Sequence, residues 1–203
     1  MIFIQIFADR NLVFDLVFTD GNLIFNFIFA DRNAIFWPSH LIFTTFAAQI
    51  KETMDKNENY QLLLAQVRAI VKDETDAVAN MANVAALIQE TFRFWWTGFY
   101  RVIGEQLVLG PFQGPVACTR IGFGKGVCGT SWKEKRTIVV EDVEQFPGHI
   151  ACSSESRSEI VVPLLKGDDV IGVLDIDSEK LATFDATDKE WLEQIAETVA
   201  SVL

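Results

Sequence analysis

Residues 159–177, Glu159-Ile160-Val161-Val162-Pro163-Leu164-Leu165-Lys166-Gly167-Asp168-Asp169-Val170-Ile171-Gly172-Val173-Leu174-Asp175-Ile176-Asp177, decide the fold. Two apolar, β-branched runs, Glu159 to Leu165 and Val170 to Asp175, flank Lys166-Gly167-Asp168-Asp169, which signals a hairpin. Asp175 and Asp177 lie either side of Ile176, so a strand turns both to the same face. Glu159 opens the partner run, and the open end of the hairpin brings it near the two aspartates. Two readings stand at this point. One is a solvated strand end. The other is a clustered acidic site, suited to a ligand ammonium group or to supplying a proton. Carboxylates grouped in this way raise one another's pKa, which lets one of them keep its proton near neutral pH.

Working outward, Phe94 to Val102 and Gln106 to Phe112 form two more strand-like runs joined by Gly104-Glu105, a second hairpin. Residues 137–140 read as a short strand. Leu63, Val67, Ile70 and Val71 recur at helical spacing and predict a helix over about 58–72. Val78, Met81, Ala82, Ala85 and Ile88 predict another over 76–91, with a polar break from Asp73 to Asp76. Asp185 is placed to cap a last helix, with Asp188 at its third position and an apolar face of Trp191, Leu192, Ile195, Ala196, Val199 and Val202. A central, mostly antiparallel sheet flanked by N- and C-terminal helices makes an α+β sandwich.

This pattern fills residues 54–203, an ordinary domain size. The chain has 203 residues, 50% hydrophobic and 22% charged, which excludes a mainly disordered protein. Its 17 Phe are unevenly spread: residues 1–53 hold ten of them but only one of the 12 Gly and none of the three Cys. Residues 6–36 repeat with period 11: Ile6-Phe7-Ala8-Asp9-Arg10-Asn11 returns from Val17 and again from Ile28. Period 11 suits a right-handed helical supercoil, but β-branched and aromatic runs separated by Asp, Gly and Asn predict short strands joined by tight turns. Charges at Asp9, Arg10, Asp15, Asp20, Asp31 and Arg32 argue against a membrane span, and the uncharged residues 1–7 against a signal peptide. The segment reads as a translated tandem repeat upstream of a start at Met54, outside the fold and non-native or disordered.

Net charge is −11 over the chain, and residues 54–203 carry −9 of it, from 14 basic and 23 acidic side chains. An acidic surface repels phosphate backbones, so no nucleic-acid partner is expected. Cys118, Cys128 and Cys152 form no CxxC pair, which argues against a zinc ribbon. All three read as loop cysteines: Cys118 before Thr-Arg-Ile-Gly, Cys128 inside Gly124-Lys125-Gly126-Val127-Cys128-Gly129-Thr130, Cys152 in Gly148-His149-Ile150-Ala151-Cys152-Ser153-Ser154. Buried cysteines acting as small hydrophobes are the plain alternative. Exposed thiols whose pKa is lowered by Arg120, Lys125, Arg157 or a helix N-terminus are the reactive one. His149, three residues before Cys152, raises a Cys–His pair, although Phe146-Pro147-Gly148-His149 also reads simply as a turn. Lys125 between two glycines lacks the full phosphate-loop pattern. Trp95 and Trp96 at the entry to the first strand are core residues or the wall of an apolar ligand pocket.

Residues 54–203 resemble the GAF-domain enzymes that reduce free methionine-(R)-sulfoxide. The likeness runs through Trp96-Thr97-Gly98-Phe99-Tyr100, Gly110-Pro111-Phe112-Gln113-Gly114, Ala117-Cys118-Thr119-Arg120-Ile121 and the Cys128 segment. It continues through Phe146-Pro147-Gly148-His149-Ile150-Ala151-Cys152, Ser158-Glu159-Ile160-Val161-Val162-Pro163 and Gly172-Val173-Leu174-Asp175-Ile176-Asp177-Ser178. The resemblance implies a GAF-like fold and assigns roles. Cys152 attacks the sulfoxide sulfur, Cys118 resolves the resulting sulfenic acid as a disulfide, and Cys128 is an auxiliary redox cysteine. Glu159, Asp175 and Asp177 hold the substrate amine and assist protonation of the sulfoxide oxygen, and Trp96 and Tyr100 line the pocket. Gly122 stands where the family usually has Pro, which loosens the loop bearing Cys118. Thioredoxin is the implied external reductant, with no cofactor and no metal, in a reducing cytoplasm, as part of the response to oxidative stress and with a homodimer possible. From another class, a non-catalytic GAF domain that senses a small molecule leaves the three cysteines unexplained.

Overall fold

The computed structural model describes residues 2–9, 12–19, 22–29, 55–150 and 152–203. The chain divides into two compact units, Met1–Met54 and Asp55–Leu203. In the first, β1 (Ile2–Asp9), β2 (Leu12–Thr19) and β3 (Asn22–Phe29) form an antiparallel meander with two residues between successive strands. These are the short strands that the repeat predicts. The start expected at Met54 falls outside the described residues.

The second unit is an α+β sandwich around one six-stranded sheet. Its strands are β4 (Trp96–Ile103), β5 (Gln106–Gln113), β6 (Arg120–Gly122), β7 (Ile138–Val140), β8 (Ser158–Lys166) and β9 (Asp169–Ser178). They lie in the order β6-β5-β4-β9-β8-β7, with every neighbouring pair antiparallel. The decisive hairpin, β8–β9, therefore places β9 at the middle of the sheet, beside β4, and β8 next to the edge strand β7. Pro163 is tolerated inside β8 because β7 is short. That strand pairs only with residues 159–161, so beyond it the missing N–H leaves no ladder bond to β7 unmade.

Four helices cover the sheet: α1 (Lys56–Val71), α2 (Ala77–Phe92), α3 (Gly126–Glu134) and α4 (Ala186–Ala200). Strand alternation sorts the core into two parts. Phe99, Ile160, Val162, Leu164, Leu174 and Ile176 face α1, α2 and α4, all buried. Trp96, Tyr100, Val161 and Val173 face the other way, toward α3 and Leu107, Ile121 and Cys128. Among the described residues no helix is long and apolar enough to cross a membrane.

The helix ends follow their sequence signals. Asp55, Asp76 and Asp185 each accept hydrogen bonds from first-turn backbone N–H groups of α1, α2 and α4. Asp188 does more than suit the positive end of α4. It is 1% exposed and closes a capping box by accepting from Asp185 N at 2.8 Å. The same carboxylate accepts from the fully buried Tyr60 hydroxyl at 2.8 Å and from Lys56 Nζ at 2.5 Å. It thereby fastens the first helix to the last across 128 residues of sequence.

Two elements, β6 and α3, fall where the sequence reads as loop. Helix α3 has only nine residues, starts without a side-chain cap and contains Gly126 and Gly129. It exists because of packing rather than propensity. A Cβ on Gly129 would lie 2.4 Å from the Gly122 carbonyl oxygen, so only a bare glycine lets α3 approach β6 this closely. Gly122 itself is held in β6 opposite Gln106, with its carbonyl accepting from Lys125 N at 3.1 Å.

Removing the Asp188 carboxylate leaves Tyr60 and Lys56 without their shared acceptor at a buried site. Asp188→Ala is expected to destabilise the domain by about 3 kcal/mol. Urea unfolding monitored by tryptophan fluorescence measures it, and a loss under about 1 kcal/mol would mean that the clasp is not stabilising.

Candidate active site

Register alone assembles the acidic cluster. Glu159 of β8 pairs with Asp177 of β9, and Val161 pairs with Asp175. On the other side of β9, Trp96 pairs with Asp177, Gly98 with Asp175 and Tyr100 with Val173. Paired positions share a face, so the three carboxylates and both aromatic side chains point away from α1, α2 and α4. They line an open cleft whose empty space, open solvent included, is about 540 Å³. Helix α3 adds Cys128 from below, and the 146–157 segment adds His149, Ile150, Cys152 and Ser156 at the sides.

Trp96 lies flat over Gly98. A Cβ there would stand 2.4 Å from the indole and 2.5 Å from Phe112 Cβ, so the glycine makes room for the ring. The indole stacks on Phe112 at 5.4 Å and on Tyr100 at 6.1 Å, and its N–H donates to Pro115 O at 3.0 Å. Tyr100, 1% exposed, lines the cavity and also donates its hydroxyl to the Cys118 carbonyl at 2.9 Å, holding that segment in place. Trp95 is half-buried, and its N–H points at Ser153 Oγ, 3.4 Å away.

The cysteines separate into two kinds. Cys118 and Cys152 are joined in a disulfide, with Cα atoms 5.4 Å apart. Both sit outside helices and strands, as loop cysteines should. Cys128 does not: it is 3% exposed in the first turns of α3, a free thiol whose pKa is pushed well up, first by burial and then by the charges of Asp175 and Glu159. The expectation of an accessible Cys128 thiol is thus corrected. Glycine-rich sequence looked like loop, but those glycines serve close helix packing.

Glu159 and Asp175 are 6% and 7% exposed. One oxygen of each and the Cys128 sulfur lie within 4.8 Å of one another. Burial holds Glu159 well above the usual carboxylate range, and the neighbouring Asp175 and Asp177 add to this. Asp177 is raised by burial and by Asp175, against a hydrogen bond from Ser156. Burial raises Asp175 less, to about 6, because hydrogen bonds with Cys128 and Glu159 favour its charged form. Its Oδ1 is buried without a hydrogen-bond partner among the described residues. The cluster therefore holds carboxylic acids able to donate a proton and one open acceptor.

Other expectations resolve differently. His149 Nε2 lies 3.8 Å from Glu159 Oε2, so it faces the acid cluster, and burial lowers its pKa. Of the three cations considered near the thiols, Arg157 pairs with Glu144 at 3.1 Å and Arg120 bonds Gln106 at 3.2 Å. Only Lys125 lines the cavity, at the N-terminus of α3. Ser156, which bonds Asp177, and Gly98, which seats Trp96, were not singled out from sequence. Gly98 lay inside a motif read as a whole, and nothing local marks Ser156.

The GAF-domain profile matches residues 72–203. GAF domain-containing protein A of Dictyostelium discoideum is 56% identical over 141 residues, covering 69% of this chain and 89% of that protein. The free methionine-R-sulfoxide reductase of Escherichia coli is 44% identical over 151 residues, covering 74% and 92%. The crystal structure of free methionine-R-sulfoxide reductase from Neisseria meningitidis with its substrate superposes with a TM-score of 0.72 at 53% identity, covering 74% of this chain and 91% of that one.

Raised carboxyl pKa values make a stability prediction of definite sign. An acid with a higher pKa in the folded state keeps its proton there while the unfolded chain loses it, so stability falls as pH rises from about 4 through 6 on account of Asp175 and goes on falling above that on account of Glu159. Replacing Glu159→Gln and Asp175→Asn together should stabilise the reduced protein by about 3 kcal/mol or more at pH 8 and by almost nothing near pH 4. Denaturation at both pH values tests this; equal effects at the two would show that the carboxyls are not raised.

Proposed function

The chain belongs to the GAF-domain family, and from that membership and the cavity above we propose that it reduces free L-methionine-(R)-S-oxide to methionine. The observation that carries this reading is the Cys118–Cys152 disulfide, with Cys152 on the wall of a cavity floored by proton-bearing carboxylates. The names of the E. coli and N. meningitidis relatives support the same activity.

In the reduced protein the Cys152 thiolate attacks the sulfoxide sulfur. Glu159, the neutral acid of the cluster, gives a proton to the sulfoxide oxygen, which makes the S–O bond breakable. The bond between Cys152 Sγ and the substrate sulfur then breaks as the hydroxyl passes from that sulfur to Cys152, so methionine leaves and Cys152 holds a sulfenic acid. The Cys118 thiol attacks that sulfur, expels water and forms the disulfide that the structure contains. Asp175, with its open Oδ1, and Asp177 accept the substrate ammonium. Methionine sulfoxide inside a peptide has no such ammonium, so the free amino acid is preferred. Trp96 walls the cavity over the thioether end, and Tyr100 positions Cys118 through its carbonyl.

Two electrons come from the thiols, so the chemistry calls for no bound metal or nucleotide. Thioredoxin-type exchange restores both cysteines, which requires a reducing compartment such as the cytoplasm. Cys128, buried beside Asp175, is an auxiliary thiol outside the main exchange. A non-catalytic sensor with the same fold has no use for a disulfide at the edge of its ligand cavity.

Thioredoxin-coupled turnover is expected with the R epimer of free methionine sulfoxide and not with the S epimer. Cys152→Ser should abolish it. Cys118→Ser should release about one methionine per site and then fail to cycle with thioredoxin. Equal turnover of both epimers, or a Cys152→Ser protein as active as wild type, would remove the enzyme reading.

A further inference from the structure

The two sulfurs of the disulfide are not equivalent. Cys152 is exposed and lines the cavity, on a segment between β7 and β8 whose described residues hold no helix or strand beyond the short turn at 143–145. Cys118 is half-buried, packs against the cluster of Tyr100, Leu107 and Ile121, and is not part of the cavity wall. Its backbone is fixed by the Tyr100 hydroxyl on its carbonyl, and the next residue's carbonyl accepts from Leu109 N at 3.1 Å. Thiol–disulfide exchange requires the incoming thiolate to reach one sulfur along the S–S axis, from the side opposite the leaving sulfur. Cys118, half-buried against that cluster, is the less accessible sulfur to such an approach. Cys152, exposed and on the cavity wall, is the more accessible one.

We propose that the dithiol protein that regenerates this chain attacks Cys152 Sγ, so that Cys118 is the leaving thiolate and the mixed disulfide forms on the cysteine that also meets the substrate. This rests on the reductase reading above. The incoming thiolate bonds to Cys152 Sγ as the Cys118–Cys152 bond breaks, and Cys118 takes a proton from solvent. The second thiol of the reductant then attacks its own sulfur in the mixed disulfide. It releases Cys152 as a thiolate and leaves the reductant oxidised, with two electrons delivered. Substrate turnover and regeneration therefore use one sulfur in succession, and methionine must have left that end of the cavity before the reductant engages.

The test uses the full chain, reduced and then treated with free methionine-(R)-sulfoxide. Methionine released is measured first; if none appears, the reductase reading fails and the sulfur question does not arise. The oxidised protein is then mixed with a thioredoxin whose second active-site cysteine is serine, quenched with acid within the mixing time, alkylated and digested with trypsin. The three cysteines fall in separate tryptic peptides, Val102–Arg120, Gly126–Lys133 and Thr137–Arg157, so mass spectrometry assigns the linked residue directly. The Thr137–Arg157 adduct is expected to exceed the Val102–Arg120 adduct about tenfold or more. A predominant Cys118 or Cys128 adduct overturns the proposal. So does the absence of any Cys152 adduct while unmodified thioredoxin regenerates the same sample.

Discussion

The domain depends on the two-residue period of β8 and β9. A strand cannot choose its faces residue by residue: if Ile160, Val162, Leu174 and Ile176 are to be buried under α1, α2 and α4, then Glu159, Asp175 and Asp177 must all point the other way. The hydrophobic core and the acid cluster are two sides of one constraint. A one-residue slip of the hairpin would put carboxylates into the helix-covered core and leave the cavity apolar.

Keeping those carboxylates buried is costly, since an unpaired charge taken out of water loses several kcal/mol of solvation. The protein avoids part of this by raising their pKa values, so that an acid such as Glu159 keeps its proton, which is also the state a proton donor needs. The remainder is offset on the opposite face, where apolar side chains such as Phe99, Leu174 and Ile176 are buried at roughly 1.5–3 kcal/mol each. The Asp188 clasp, whose charge is fully partnered, adds to the same side.

Much of this was legible in the sequence, because the governing patterns are local. The α1, α2 and α4 periodicities and the Gly104 and Gly167 turns declare themselves, as does the Asp175–Ile176–Asp177 alternation. Pairing Glu159 with the aspartates required only counting back from the turn. The stretch from Cys118 to Glu134 was not legible. Its helix is short, uncapped and glycine-bearing, and the reason for those glycines is a neighbouring backbone that no local pattern reveals. The same blindness put Cys128 on the surface. Asp188 was read as a favourable charge at a helix end because its partners, Lys56 and Tyr60, are more than a hundred residues away.

The disulfide spans 34 residues of sequence, and those residues contain β6, α3 and β7. Closing a loop of that size removes about 4 kcal/mol of chain entropy from the unfolded state in the simplest account. The form able to attack substrate is therefore the less tethered one, and the form awaiting regeneration is the better clasped. Each cycle ties and unties the stretch of chain that carries the buried thiol and one side of the cavity. A cell short of reductant would accumulate the sturdier of the two forms, so the idle protein is protected from local opening while it waits for electrons.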